Sequence, residues 1–129
     1  MMVVDTSALL AVVLGEAKSD ACIEALQGDT EVLISAGTVA EALIVAARRR
    51  VSGPMATLFE RFDFEIVPVT PASALHIGKA YEQWGKGTHP AGLNFGDCFA
   101  YMLAKEHFCP LLYIGDDFSK TDIKSVLQN

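Results

Sequence analysis

With 129 residues the chain is the size of one domain, 1–129, built round a single core. Its apolar fraction is 51 % and its mean hydropathy +0.31. The apolar runs are nevertheless broken by Gly, Pro, Asp and charged positions, and none approaches the ~20 residues that span a bilayer. The first stretch has no basic flank and carries Asp5 inside it, unlike a secretory signal, so a cytoplasmic protein with no membrane partner is expected. A formal net charge of −6 is the wrong sign for holding a polyanion by long-range attraction. Such a partner could be engaged only where the acids gather round a cation and Arg48, Arg49, Arg50, Lys79 and Lys86 lie about them. Cys22, Cys98 and Cys109 are odd in number and widely spaced, which fits buried thiols better than a disulfide or zinc framework.

In chain order, Met2 to Val4 reads as a strand, followed by a helix from Ser7 to Leu14 capped by Thr6 or Ser7 and stopped by Gly15. Ser19 or Asp20 caps a helix to Gln27, and Glu31 to Ile34 forms the second strand. Thr38 opens a helix through Arg50, with Glu41 completing a capping box and three arginines at the negative end of the dipole. Gly53-Pro54 starts another helix to about Phe62, and Phe64 to Val69 is a third strand. Thr70-Pro71 caps a helix to about Trp84, Gly85 to Leu93 is the longest loop, and Asn94 caps a helix from Phe95 to about His107. Leu111 to Ile114 is a fourth strand stopped by Gly115-Asp116-Asp117, and the tail holds a turn and an edge strand near Ile123 to Leu127. Alternating strands and helices predict a mostly parallel sheet of four to five strands covered on both faces, a three-layer α/β/α sandwich.

In such a sheet a helix that follows a strand begins near the strand's carboxyl end and a helix that precedes a strand starts at that same edge, so every helix is expected to start where open α/β folds bind ligands. Asp5, Glu41, Asp97, Asp116 and Asp117 all fall on that edge. Singly each is explained as a cap, a dipole partner or a turn former. Together, unneutralised carboxylates repel, unless a hard divalent cation sits among them, and oxygen-only ligands suit Mg²⁺ or Mn²⁺. Such an ion assists phosphodiester hydrolysis. His76, His89 and His107 stand far in sequence from any activated nucleophile and read as surface or satisfied histidines, and no phosphate-cradling glycine loop is present.

These residues also carry a resemblance. Val3-Val4-Asp5-Thr6-Ser7-Ala8-Leu9, Ala40-Glu41-Ala42-Leu43, Leu93 to Tyr101 around Asn94-Phe95-Gly96-Asp97, and Gly115-Asp116-Asp117-Phe118 with Thr121-Asp122-Ile123 stand in an order and spacing that resemble PIN-domain ribonucleases, more narrowly the VapC toxins. The resemblance implies a PIN-like fold and a metal site with Asp5 and Asp97 as principal ligands. It further implies assistance from Glu41, a fourth acid after the last core strand, and Thr6 helping to hold the metal's waters. Many relatives carry Thr-x-Asp at that fourth position. Here Gly115-Asp116-Asp117 stands instead, and Asp116 is favoured as nearer the strand end. Implied as well are RNA as substrate, a homodimer, and a cognate VapB-like antitoxin that plugs the acidic cleft, often with a basic side chain. Two rivals share some of these residues. A haloacid-dehalogenase-type phosphatase would use Gly115-Asp116-Asp117 with Asp122, but it needs a second Asp two residues after its nucleophile, where Asp5 is followed by Thr6 and Ser7. A non-catalytic Mg²⁺-binding interaction domain would keep the acids without turnover.

Overall fold

The computed structural model describes residues 1–28 and 31–127. Its elements are β1 (Met2–Val4), α1 (Thr6–Val13), α2 (Ser19–Gln27), β2 (Val32–Ser35), α3 (Ala36–Arg48), α4 (Ser52–Arg61), β3 (Glu65–Val67), α5 (Pro71–Trp84), α6 (Phe95–Glu106) and β4 (Leu111–Leu112). The strands pair all-parallel in the order β3-β2-β1-β4. Each crossover carries two helices. Among the described residues no helix is long and apolar enough to cross a membrane.

Alternation along the strands builds a core on each face of the sheet. Met2, Val4, Val32, Ile34 and Leu112 pack with residues of α1, α2, α3 and α4. Val3, Leu33, Leu111 and Tyr113 pack with α5 and α6 residues such as Ile77, Ala80, Ala100 and Leu103. β1 and β2 are therefore buried on both sides, as central parallel strands are. The result is the expected α/β/α sandwich.

Several boundaries differ from the sequence reading, each for a physical reason. The third strand ends at Val67 because Pro68 has no N–H for the ladder. β4 ends at Leu112 because β1 stops at Val4; the Asp5 amide takes the Leu112 carbonyl, and the Ile114 amide turns to the Ser7 hydroxyl. The expected tail strand reduces to one bridge, Leu111 with Ser125. α1 is capped by Asp5, whose carboxylate accepts from the Ser7 amide, since the Thr6 and Ser7 hydroxyls are engaged elsewhere. Ser19 is the first residue of α2 rather than its cap.

The largest correction concerns α3. Ser35 caps it, accepting from the Gly37 amide, so the helix begins at Ala36 and Thr38 lies inside its first turn, fully buried. There is no Thr38–Glu41 capping box. Glu41 sits one turn further on and is free to point at another element.

Candidate active site

Asp5 leaves the carboxyl end of β1 and caps α1. Its Oδ2 accepts from the Ser7 amide at 3.1 Å and the Ser7 hydroxyl at 2.7 Å. Ser7 Oγ accepts in turn from the Ile114 amide at 3.0 Å, tying the end of β4 to the same carboxylate. Asp5 is only 4 % exposed, and its Oδ1 is buried with no hydrogen-bond partner. A buried acceptor left unmatched is costly, so it marks a place where the fold serves something besides its own stability.

Asp97 lies in the first turn of α6. Its Oδ2 accepts from the Asn94 amide at 3.0 Å while Asn94 Oδ1 accepts from the Asp97 amide at 2.8 Å, a reciprocal capping box. The cap explains one oxygen. It does not explain why the residue is 7 % exposed beside other carboxylates. From α3, Glu41 Oε1 accepts the Thr6 hydroxyl at 2.6 Å. Its Oε2 lies against the backbone of Gly96, where any Cβ would overlap it. Glu41 is thus held between α1 and α6.

The carboxyl groups also act on one another. Burial pushes the Asp5 carboxyl up to about 7, against the Ser7 hydrogen bonds, with Asp97 and Glu41 raising it further. Burial likewise pushes Asp97 up to about 6; the Asn94 amide lowers it, Asp117 and Glu41 raise it, and Lys86 lowers it. The structure therefore brings Asp5, Glu41 and Asp97 together, with Asp117 acting on Asp97 from the loop after β4. Asp116 is not among the groups acting on Asp5 or Asp97. It lines a separate cavity of about 370 Å³ with Glu16, Lys18, Tyr113 and Ser125. The loop carrying both is anchored by Phe118, which is buried with its ring 5.1 Å from Tyr113.

The expected ring of cations is mostly elsewhere. Arg48 closes α3 roughly 10 Å beyond Glu41 along the axis, followed by Arg49 and Arg50. Lys79 belongs to a surface cavity between α5 and α6 with His76 and Glu106. Lys86, of the five, acts on Asp97. The histidines lie at or near the surface: His76 meets Glu106 at 2.7 Å, His89 stacks edge-on to Trp84, and His107 ends α6. The cysteines are free thiols, Cys22 and Cys98 buried and Cys109 half-buried, with burial pushing Cys98 up to about 11.

Among the described residues no group of three or more acid, histidine or cysteine side chains is arranged so that it could hold a metal ion. Mg²⁺ asks for less, since it commonly binds through one or two carboxylates and completes its shell with waters and substrate phosphate. The oxygen-only donors and the orphaned Asp5 Oδ1 fit that mode. Sequence reasoning missed two members of the site, Ser7 and Gly96. Ser7 had a visible signal, a hydroxyl two residues after a capping Asp; Gly96 had none without the fold.

Compared with known proteins, residues 2–124 match the family model described as PIN domain. The chain is 44 % identical over 129 residues to ribonuclease VapC36 of Mycobacterium tuberculosis, covering 95 % of this chain and 91 % of that one. It is 38 % identical over 130 residues to ribonuclease VapC28 of the same organism, covering 98 % of each. Its fold is similar to the crystal structure of Mycobacterium tuberculosis VapC20, a sarcin-ricin loop cleaving toxin, with a TM-score of 0.77, 16 % identity, and 95 % and 96 % of the two chains covered. It is also similar to a chain of a toxin–antitoxin complex from Klebsiella pneumoniae, with a TM-score of 0.73, 17 % identity, and 98 % and 97 % covered.

Proposed function

Because the chain belongs to the PIN-domain family and, within it, to the VapC ribonucleases, we propose that it hydrolyses RNA phosphodiester bonds at the edge formed by Asp5, Glu41, Asp97 and Asp117, with Mg²⁺ as its ion. The class of activity, a toxin endoribonuclease, follows from the family, whose nucleases depend on divalent metal. Membership also decides against the phosphatase and the non-catalytic domain. The observation that carries the placement is Asp5: a carboxylate at a strand end, buried, with one oxygen unpartnered and two other acids acting on it.

Asp5 and Asp97 would hold the ion, which when bound polarises a phosphoryl oxygen and lowers the pKa of an attacking water. Glu41 is steadied by the Thr6 hydroxyl, with its other oxygen over Gly96, and can orient that water or receive its proton. Thr6 serves the site through Glu41. As fourth acid we prefer Asp117 to Asp116, since Asp117 acts on Asp97 and Asp116 faces another cavity.

The inhibitory partner is a VapB-like antitoxin. A basic side chain would satisfy the clustered carboxylates and compete with the ion. The apolar groove of about 500 Å³ between α1, α2 and α4, lined by Val12, Val13, Ile23, Leu58 and Phe62, offers the rest of that partner a surface. A second copy of the chain is proposed from the family likeness, together with Leu75 and Tyr81 exposed on α5. Expression of the chain alone and with its antitoxin tests the reading. Growth arrest with RNA fragments should appear in the first case and vanish in the second. Intact RNA in arrested cells, or arrest by Asp5→Asn, would contradict it.

A further inference from the structure

Phe95 opens α6 two residues before Asp97, and the residue is 71 % exposed. The ring is held in place. It lies 4.9 Å from the ring of Phe99, edge to face at 89°. Phe99 is itself seated over Gly37, where any Cβ would overlap its ring, so the first turns of α3 and α6 share one aromatic mount. Two polar residues stand near Phe95 in the chain. Asn94 precedes it, Asp97 follows, and the Lys86 ammonium acts on Asp97.

A nucleobase stacks its face on an exposed aromatic ring, and a ring two residues from Asp97 would leave the adjoining phosphate near the metal site and the Lys86 ammonium. We propose that Phe95 is the stacking platform for a base adjoining the scissile phosphate of single-stranded RNA, an inference that rests on the ribonuclease reading above. Its role is substrate binding, and any base can use it.

The test is fluorescence anisotropy of a labelled single-stranded RNA octamer, with Ca²⁺ in place of Mg²⁺, repeated with octamers each lacking one base. Phe95→Ala should weaken binding of the intact octamer by about tenfold, and Phe95→Tyr should stay close to the parent. For one abasic position the Phe95→Ala loss should disappear, because the base that stacks is already gone. Unchanged binding by Phe95→Ala, or a loss equal across all abasic octamers, would overturn the proposal. So would a loss accompanied by a changed sedimentation mass, which would make Phe95 a subunit contact. Parent protein that neither binds the octamer nor cleaves RNA with Mg²⁺ would bring down the ribonuclease reading and this inference together. Parent that cleaves while the abasic series is flat would remove only the stacking.

Discussion

Asp5 does two things with two oxygens, and substitution can separate them. Asp5→Asn keeps an oxygen for the Ser7 amide and hydroxyl but loses the charge, so RNA cleavage should collapse while the ion-free protein melts at the same temperature or higher. Asp5→Ala loses the cap as well and should cost about 0.5–2 kcal/mol. An Asp5→Asn protein that melts far below the parent would make this acid structural. Glu41 is probed from across the site. Gly96→Ala puts a methyl where Glu41 Oε2 lies, so the carboxylate must move; cleavage should fall tenfold or more, about 1.4 kcal/mol in the barrier, with little loss of Tm. Glu41→Gln, which keeps an acceptor for the Thr6 hydroxyl, should fold normally and cleave as poorly. Parent-like single-turnover rates in both variants would remove Glu41 from the chemistry. Asp97 was legible because an acid three residues after Asn is a helix start. Glu41 was placed on the acid edge but also given a capping box with Thr38, whose spacing mimics one, and the burial of Thr38 and the capping by Ser35 remove that second role.

At the scale of elements, two segments far apart in sequence are fastened at one point by Ser7. Its hydroxyl joins the start of α1, the Asp5 carboxylate and the Ile114 amide just past β4. Ser7→Ala strands that amide and should destabilise the protein by about 1–3 kcal/mol, measured by denaturant unfolding. Ser7→Thr should recover most of the loss. An unchanged midpoint for Ser7→Ala would show that the contact contributes nothing. The element order and parallel sheet were legible from apolar runs and caps, since Thr70-Pro71 and Asn94 stand where helices begin. Strand ends were not, because they depend on where the neighbouring strand stops. The assumption that every helix starts at the acid edge fails for α5. It pairs antiparallel with α6, and His76 near its start meets Glu106 at the end of α6.

The whole molecule is acidic, yet it conceals two of its acids in a region that raises their pKa values to about 7 for Asp5 and about 6 for Asp97. A carboxyl whose folded pKa lies above its unfolded value of 3.8 stabilises the fold while protonated. That contribution is fully present below about pH 4 and is lost as pH rises through the two folded values. Without divalent ion, the parent should therefore lose more Tm between pH 5 and 7.5 than an Asp5→Asn, Asp97→Asn double variant. Adding Mg²⁺ should reverse the order for the parent, because the ion binds the deprotonated form. Identical pH profiles for the two proteins would mean that the acids are not strained by their burial.

The central claim is that buried, mutually repelling carboxylates form a site for a divalent ion that cleaves RNA. Its most direct measurement is single-turnover cleavage of single-stranded RNA by the purified protein across a Mg²⁺ titration, with Asp97→Asn beside the parent. Asn at 97 retains an oxygen for the Asn94 amide, so the helix start survives and only the charge is lost. The account predicts no cleavage in chelator, a rate that rises and saturates with Mg²⁺ for the parent, and a rate at least a hundredfold lower for Asp97→Asn at saturation, about 2.7 kcal/mol in the barrier. Cleavage that persists in chelator, or an Asp97→Asn protein that reaches the parent's rate, would contradict it.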